Sequence, residues 1–486
     1  MSVATQAARG VAWNMLFGVG ARIVQLAGTL ILARMIDPAQ YGPVLAASIL
    51  VVTAGTCTSF AFGQYLIAKR APPEIVGQAM IVHVGIGLVA MSVIYALRHP
   101  LGEYFGTPAT GQYVLGFALA HLLDRSRYVP ERLLLRALRF RTVASINATG
   151  ELAYTVATLA TARIWGPNAV VFGWLVRSSL ICGLFFRVAP RDEWILRARL
   201  RAAEVLDLFR YGLPIMISAV SDHLATRFDN LIISKLFKPD VMARYNQSYS
   251  LAEMPVNSIA GQIGDVLMPA FSRMEDEQRR RSVTRAAAMM SILVTPLGVG
   301  LAAVAPTVVT TFFNEKWGPG MATMLAILST MAVFRPMTWS AIAYLQAVQK
   351  TRLIMYASFL RAIGVLSFVA AGGILGGEDW ACVGAGVGFA LHSVLTIIAA
   401  SRTAHFSAGE YLLGVARPLL ACIPMFLAVE GTRQALETLS IPNAASLVTQ
   451  ILVGALVYIA AAFVLLRRTV DELLRLGREA IRKRRR

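Results

Sequence analysis

The sequence predicts an all-α, polytopic membrane fold of about fourteen transmembrane helices. Three observations carry that expectation. Hydrophobic residues make up 56% of the 486 and charged residues only 15%, against about 25% charged in an ordinary soluble domain. Mean hydropathy is +0.60. Apolar stretches close to the roughly 20 residues that a membrane-crossing helix needs recur from one end of the chain to the other.

The expected spans are 11–34, 43–67, 78–97, 113–134, 143–162, 168–188, 211–234, 245–270, 287–312, 320–347, 353–375, 380–400, 411–430 and 446–466. The first is too long for a signal-peptide core and lacks a prompt small-residue cleavage site, so it reads as a retained helix. The fourth and eighth are the least apolar, and the count is open by one or two. Pro255, Pro296, Pro306 and Pro336 fall inside spans and should kink them. Gly384, Gly386 and Gly388 lie within the twelfth span with no preceding strand, which suits close helix packing and not a nucleotide loop. Between the sixth and seventh spans, residues 190–210 read as a cytoplasmic amphipathic linker anchored by Trp194, Ile195, Leu206 and Phe209. The tail, 467–486, is basic, with a stripe of Val470, Leu473, Leu474 and Ile481.

Basic residues test this division. With both termini cytoplasmic, the inside segments hold 30 of the 46 Lys and Arg, the outside loops seven, and the spans nine. That asymmetry is a positive-inside signal. The +19 net charge is therefore topological and does not indicate nucleic acid as a partner. Outside loops reach only about 17 residues, too little for an external catalytic domain. Cys57, Cys182, Cys382 and Cys422 sit singly, and His83, His121, His223 and His392 are scattered, so neither metal spacing nor a disulfide framework is present. No Ser-His-Asp or Walker pattern occurs. No cofactor is expected.

The nine arginines within spans are the informative feature. Arg22, Arg125, Arg177, Arg227 and Arg335 lie near mid-span, with Arg361 also inside one. A lipid-facing arginine at the bilayer centre costs about 2.5–3.5 kcal/mol on insertion scales, so most should face an interior. Polar positions recur at helical spacing in three spans: Asn14, Gly18, Arg22, Gln25 and Thr29; Ser218, Asp222, Thr226 and Asp229; and Asn246, Ser250, Glu253, Asn257, Gly261 and Asp265. Such stripes suit a water-filled cavity or buried interhelical hydrogen bonds. Acids within the spans, among them Asp124, Glu151, Asp222, Asp229, Glu253 and Asp265, are fewer than the arginines and leave the spans net positive. Asp124 beside Arg125, and Asp222 and Asp229 around Arg227, are candidate local ion pairs. Asp222, Asp229 and Glu253 are also the candidates for Na⁺ or H⁺ coupling.

An internal repeat organises the spans. Ile31-Leu-Ala-Arg-Met-Ile-Asp-Pro38 parallels Ile232-Ile-Ser-Lys-Leu-Phe-Lys-Pro239, and Leu134–Leu138 echoes Tyr344–Val348. The first span then matches the seventh and the fourth matches the tenth. A six-helix unit repeated in parallel gives two lobes with a shared midplane site. The expected organisation is residues 1–189 and 211–402 as lobes, 403–466 as two further helices, all around a central cavity.

Several short motifs resemble one family. They are Gly10-Val-Ala-Trp13, Arg22, Leu32-Ala-Arg34, Pro38, Tyr41-Gly42, Arg136-Ala-Leu-Arg-Phe140, Tyr211-Gly-Leu-Pro214, Asp229-Asn-Leu-Ile-Ile233, Pro269-Ala-Phe-Ser272 and Lys316-Trp317. Together they resemble the lipid-linked oligosaccharide flippases, the Wzx-type polysaccharide transporters of the multidrug/oligosaccharidyl-lipid/polysaccharide exporter superfamily. The resemblance implies two six-helix lobes facing a cavity, plus two helices. It implies a bacterial inner-membrane protein with no catalytic chemistry that moves an undecaprenyl-diphosphate-linked sugar unit. Arg22, Arg125, Arg177, Arg227, Arg335 and Arg361, with Asn14 and Gln25, would bind that head group. Membrane lipids are partners, and a polysaccharide polymerase and chain-length proteins are candidates. Many relatives carry Asp before the Phe-Gly near the end of the second span; here Ala61 precedes Phe62-Gly63. A multidrug antiporter of the same fold, and a membrane glycosyltransferase or polymerase, are the alternatives.

Overall fold

The computed structural model describes residues 20, 24–69, 71–137, 139–194, 199–272, 274–331, 333–467, 469–471 and 475. Among them every regular element is helical. They divide into two compact units, Met1–Ala243 and Arg244–Arg486.

In unit 1 the helices are α1 (Val24–Met35), α2 (Pro38–Cys57), α3 (Phe62–Ala68), α4 (Pro73–Ala96), α5 (Arg98–Tyr104), α6 (Gly111–Arg136), α7 (Phe140–Trp165), α8 (Asn168–Val188), α9 (Arg191–Trp194), α10 (Ala202–His223) and α11 (Asp229–Leu236). Unit 2 takes most of α12 (Pro239–Ser272), then α13 (Asp276–Ala303), α14 (Ala305–Phe312), α15 (Gly318–Met331), α16 (Phe334–Ala347), α17 (Thr351–Gly376), α18 (Glu378–Ala404), α19 (Ala408–Thr438) and α20 (Asn443–Leu465). Among the described residues each expected span from the second onward has its helix or helix pair, and α1 covers the described end of the first. Among the described residues eight helices are long and apolar enough to cross a membrane: α2, α4, α8, α13 and α17–α20.

Several spans are interrupted, each for a local reason. The second breaks into α2 and α3 at residues 58–61, where Ala61 takes a left-handed conformation, φ 50°. That region accommodates Gly, Asn and Asp more readily than Ala, so an Asp there in relatives suits the backbone as well as any chemistry. The ninth breaks between α13 and α14, with Pro306 in the first turn of α14, where its missing N–H costs nothing. The linker differs from expectation. Its second half is not a separate surface helix: α10 begins at Ala202 and runs unbroken into the seventh span. Of the expected anchors, Trp194 and Phe209 pack against α3, α4 and α6, where Leu208 is fully buried, Leu206 is exposed, and Ile195 lies outside the described residues.

Unit 1 is held by apolar side chains of α1, α2, α4, α6, α7 and α8, among them Ile36, Val51, Met91, Phe117, Ala162 and Val170. In unit 2 the glycines of the twelfth span act as the sequence suggested. A Cβ on Gly384 would lie 2.1 Å from the Phe368 carbonyl oxygen and one on Gly388 2.6 Å from the Val365 Cα, so α17 and α18 meet backbone to backbone. Ser407 caps α19, its hydroxyl accepting from the Glu410 N–H at 3.2 Å. Arg279 closes the end of α12 by donating to the carbonyls of Phe271 (2.7 Å) and Met274 (2.6 Å). The Phe271 carbonyl belongs to the last turn of α12, which has no i+4 donor, and the Met274 carbonyl lies just beyond it. Arg279→Ala is expected to lower stability by about 1.5–3 kcal/mol, the worth of hydrogen bonds to a charged group. A thermal unfolding midpoint equal to the parent's would show the cap to be dispensable.

The sequence repeat has a structural counterpart within each unit's chain. α1 and α2 are separated by two residues with Pro38 opening α2; α11 and α12 are separated by two residues with Pro239 opening α12. Three residues separate α6 from α7 and three separate α16 from α17, and α7 and α17 are both 26 residues long.

Candidate functional site

Ionisable side chains within the spans concentrate on helices too polar to count as simple membrane spans. These are α6 (Asp124, Arg125, Arg127, Glu131), α7 (Glu151), α10–α11 (Asp222, Arg227, Asp229) and α12 (Glu253), none of them among the eight apolar crossings. A lipid-facing charge is costly, so this polarity marks the interior-facing helices.

Arg125 is 3% exposed. Its guanidinium reaches the break between α2 and α3. Nη2 donates to the Gly55 carbonyl (2.6 Å) and the Thr58 hydroxyl (2.5 Å); Nη1 donates to the carbonyls of His83 (3.1 Å) and Thr58 (3.3 Å); Nε donates to His121 Nε2 (3.4 Å). An arginine has five N–H donors, and all five are engaged. The acceptors include the Gly55 carbonyl in the last turn of α2 and the Thr58 carbonyl just beyond it, where the helix dipole favours a cation. Gly87 gives the side chain its room, since a Cβ there would lie 2.2 Å from Arg125 Cδ. The expected substrate-binding role for Arg125 is therefore replaced by a structural one, and its expected pairing with Asp124 does not occur.

Asp124 turns instead to α6's own next turn and to α8. Its Oδ1 accepts from Arg127 Nε at 2.6 Å, and its Oδ2 accepts from Ser178 at 3.1 Å and faces Arg177 Nη1 at 3.6 Å. Arg177 Nε donates to Glu151 Oε1 at 2.8 Å. Arg127 Nη1 donates to Glu131 Oε2 at 2.9 Å, and Asn147 donates to Glu131 Oε1 at 3.4 Å. The Arg177 guanidinium lies 5.1 Å from the Trp174 ring centroid, and Tyr154 meets that ring edge-on at 5.9 Å. Three carboxylates and two guanidiniums give this network a net charge of −1. Arg177 is thus neutralised by acids, not held free for an anion.

The seventh span is continuous but locally underwound. Leu224–Phe228 form a π-helical turn between α10 and α11. A π turn inserts a residue into the helical repeat, which breaks the expected shared face: Asp222 is exposed while Asp229 is wholly buried. The Asp229 Oδ1 accepts from both the backbone N–H and the side-chain amide of Asn230, each at 2.9 Å. Arg227 is exposed, and Asp222 accepts at its carbonyl from Thr226 at 2.9 Å. His223 bonds Thr53 of α2 at 2.9 Å, and Phe60 packs edge-on to Phe209 at 4.7 Å.

In unit 2, Glu253 and Tyr249 line a small cleft with Leu328, Met331, Ala385, Gly386 and Phe389. Arg361 stands 6.0 Å from the Phe389 ring centroid. Gln25 is exposed on α1, and its carbonyl accepts from Thr29 at 2.8 Å. Asn14, Arg22 and the side chain of Arg335 lie outside the described residues. The structure thus groups Arg177 with Asp124 and Glu151, places Arg361 beside the cleft of Glu253, and takes Arg125 out of the set. Glu131, Arg127, Trp174 and Tyr154 join the site beyond the expected residues; the readable signal was the three-residue spacing of Arg127, Tyr154 and Trp174 from Asp124, Glu151 and Arg177, with Glu131 one further turn beyond Arg127.

Three comparisons bear on this arrangement. A family model described as "Polysaccharide biosynthesis protein" matches residues 31–322. Curated relatives include the lipopolysaccharide biosynthesis protein WzxC of Escherichia coli (strain K12), 22% identical over 82% of this chain and 80% of its own length. The succinoglycan biosynthesis transport protein ExoT of Rhizobium meliloti (strain 1021) is 25% identical over 95% and 94%. Among solved structures, the lipid II flippase MurJ in an inward closed conformation aligns with a TM-score of 0.78 at 13% identity, covering 94% of this chain and 99% of that one. An inward-facing multidrug resistance MATE family transporter of the MOP superfamily aligns with a TM-score of 0.57 at 15% identity, covering 83% of this chain and 95% of that one.

Proposed function

The chain belongs to the polysaccharide biosynthesis protein family, and from that membership we infer a flippase that carries a lipid-linked oligosaccharide across its membrane by alternating access. It is a multi-pass membrane transporter and not an enzyme. The observation that carries the reading is the concentration of ionisable groups on α6, α7, α10–α11 and α12, joined by Arg177 of α8 and Arg361 of α17, within a set of otherwise apolar helices. A polar headgroup needs such an interior, and its lipid tail needs the apolar remainder. Arg22, Arg227, Arg335 and Arg361 are the candidates for the diphosphate, because a planar guanidinium meets phosphate bidentately and keeps its charge when dehydrated. The membrane is the bacterial inner membrane with both termini cytoplasmic, as the distribution of Lys and Arg supports. A polymerase and chain-length proteins would take the product.

The multidrug reading fits less well, since cationic drugs favour an acidic cavity and arginines outnumber the acids assigned to the spans. A strain lacking the protein decides among the readings. Sugar-lipid is expected to accumulate on the cytoplasmic leaflet, protected from a membrane-impermeant label. Sugar-lipid displayed outside but unpolymerised would indicate an enzyme instead. In the same strain, Arg22→Ala or Arg335→Ala is expected to abolish transport at normal protein level, and full transport by both would remove the cationic-cavity account. Coupling to Na⁺ or H⁺ through Asp222, Asp229 or Glu253 predicts that a neutral amide at the responsible position severs transport from the ion gradient; an unaltered gradient dependence in all three excludes it.

A further inference from the structure

We propose that the side-chain network of α6, α7 and α8 — Arg177 with Glu151 and Asp124, beside Trp174 and Tyr154 — is the surface that recognises the hydroxyl groups of the transported glycan. The inference rests on the flippase reading and assigns one part of the cargo to one part of the wall.

Four observations support it. First, the network is only partly buried: the charged side chains retain 13–25% of their exposure. Charges at this depth do not face hydrocarbon, so what they border is water. Second, the network's charge is wrong for a diphosphate. With Asp124, Glu131 and Glu151 against Arg127 and Arg177, a second anion would be repelled. Third, its hydrogen-bonding capacity is right for a hydroxylated ligand. Arg177 donates through Nε to Glu151 Oε1 at 2.8 Å, while its Nη2 and the second oxygen of Glu151 carry no hydrogen bond to the described residues. A donor and an acceptor then stand side by side, and adjacent sugar hydroxyls need one of each, because a hydroxyl both donates and accepts. Fourth, the pair is held rigidly. Arg177 is stacked on Trp174 and bracketed by two carboxylates on two other helices, so little rotamer entropy remains to be lost on binding.

The test compares two lipids on the purified full-length protein in lipid nanodiscs. One is undecaprenyl diphosphate without sugar. The other is the sugar-lipid pool extracted from cells lacking this protein. Wild type is expected to bind the sugar-lipid at least tenfold more tightly. Glu151→Gln should bring the two affinities within twofold of each other while leaving that for bare undecaprenyl diphosphate unchanged. Arg177→Lys, which keeps the charge but loses the planar fork, should do the same and covers the case in which Glu151→Gln fails to fold. A tenfold preference that persists in both variants overturns the assignment, as does wild type binding both lipids equally. Wild type binding neither lipid overturns the flippase reading itself.

Discussion

Replacing Arg125 by alanine is expected to empty the membrane of folded protein. The substitution removes five donors from a site where the side chain is 3% exposed and leaves the carbonyls of Gly55, Thr58 and His83 without their cation. Leaving a buried acceptor without its donor costs about 1–3 kcal/mol, and several are affected at once, a large share of a stability usually near 5–15 kcal/mol. Arg125→Lys should rescue only in part, because three ammonium donors on one nitrogen cannot span acceptors on α2, α4 and α6. The measurement is protein level in membranes together with the unfolding midpoint in detergent. A soluble, stable, transport-dead Arg125→Ala protein would reverse the conclusion and return this residue to the cargo path.

The second large effect is expected at Gly212. A Cβ built there would lie 1.7 Å from the carbonyl oxygen of Phe60. The obstacle is backbone, so no rotamer change relieves it. Gly212→Ala should push α10 away from the α2–α3 break, loosening the contact of Phe60 with Phe209 and the hydrogen bond between Thr53 and His223. Overpacking of this kind costs about 1–3 kcal/mol or more. A lowered unfolding midpoint with impaired transport is the expected outcome. Gly431, which has nothing within 4 Å of the built Cβ, is the matched control, and Gly431→Ala should be silent. Equal behaviour of the two variants would mean that α10 is free to shift.

Much of the fold was legible because membrane spans are written in composition. Some twenty apolar residues in a row suffice to place a helix. Interruptions were harder to read. The α2–α3 break has no proline or glycine at residues 58–61; it is fixed by Ala61's left-handed backbone and by an arginine 67 residues from Thr58, a tertiary fact. The π turn at Leu224–Phe228 likewise defeated a helical-wheel argument that assumed constant pitch. At the candidate site, residue type was readable but partnership was not. Asp124 and Arg125 are adjacent in sequence and therefore point about 100° apart on a helix. Asp124 accordingly meets Arg127 one turn on and Arg177 on another helix.

The junctions at Pro38 and Pro239 pair in the sequence repeat, yet the helices that follow them differ. One is jointed, α2 and α3 meeting at a fastened corner; the other, α12, continues for 34 residues, about 50 Å at the α-helical rise, with Pro255 inside it. A joint takes up strain where it lies, whereas a continuous helix carries a tilt along its length. Likeness of sequence therefore does not entail likeness of movement.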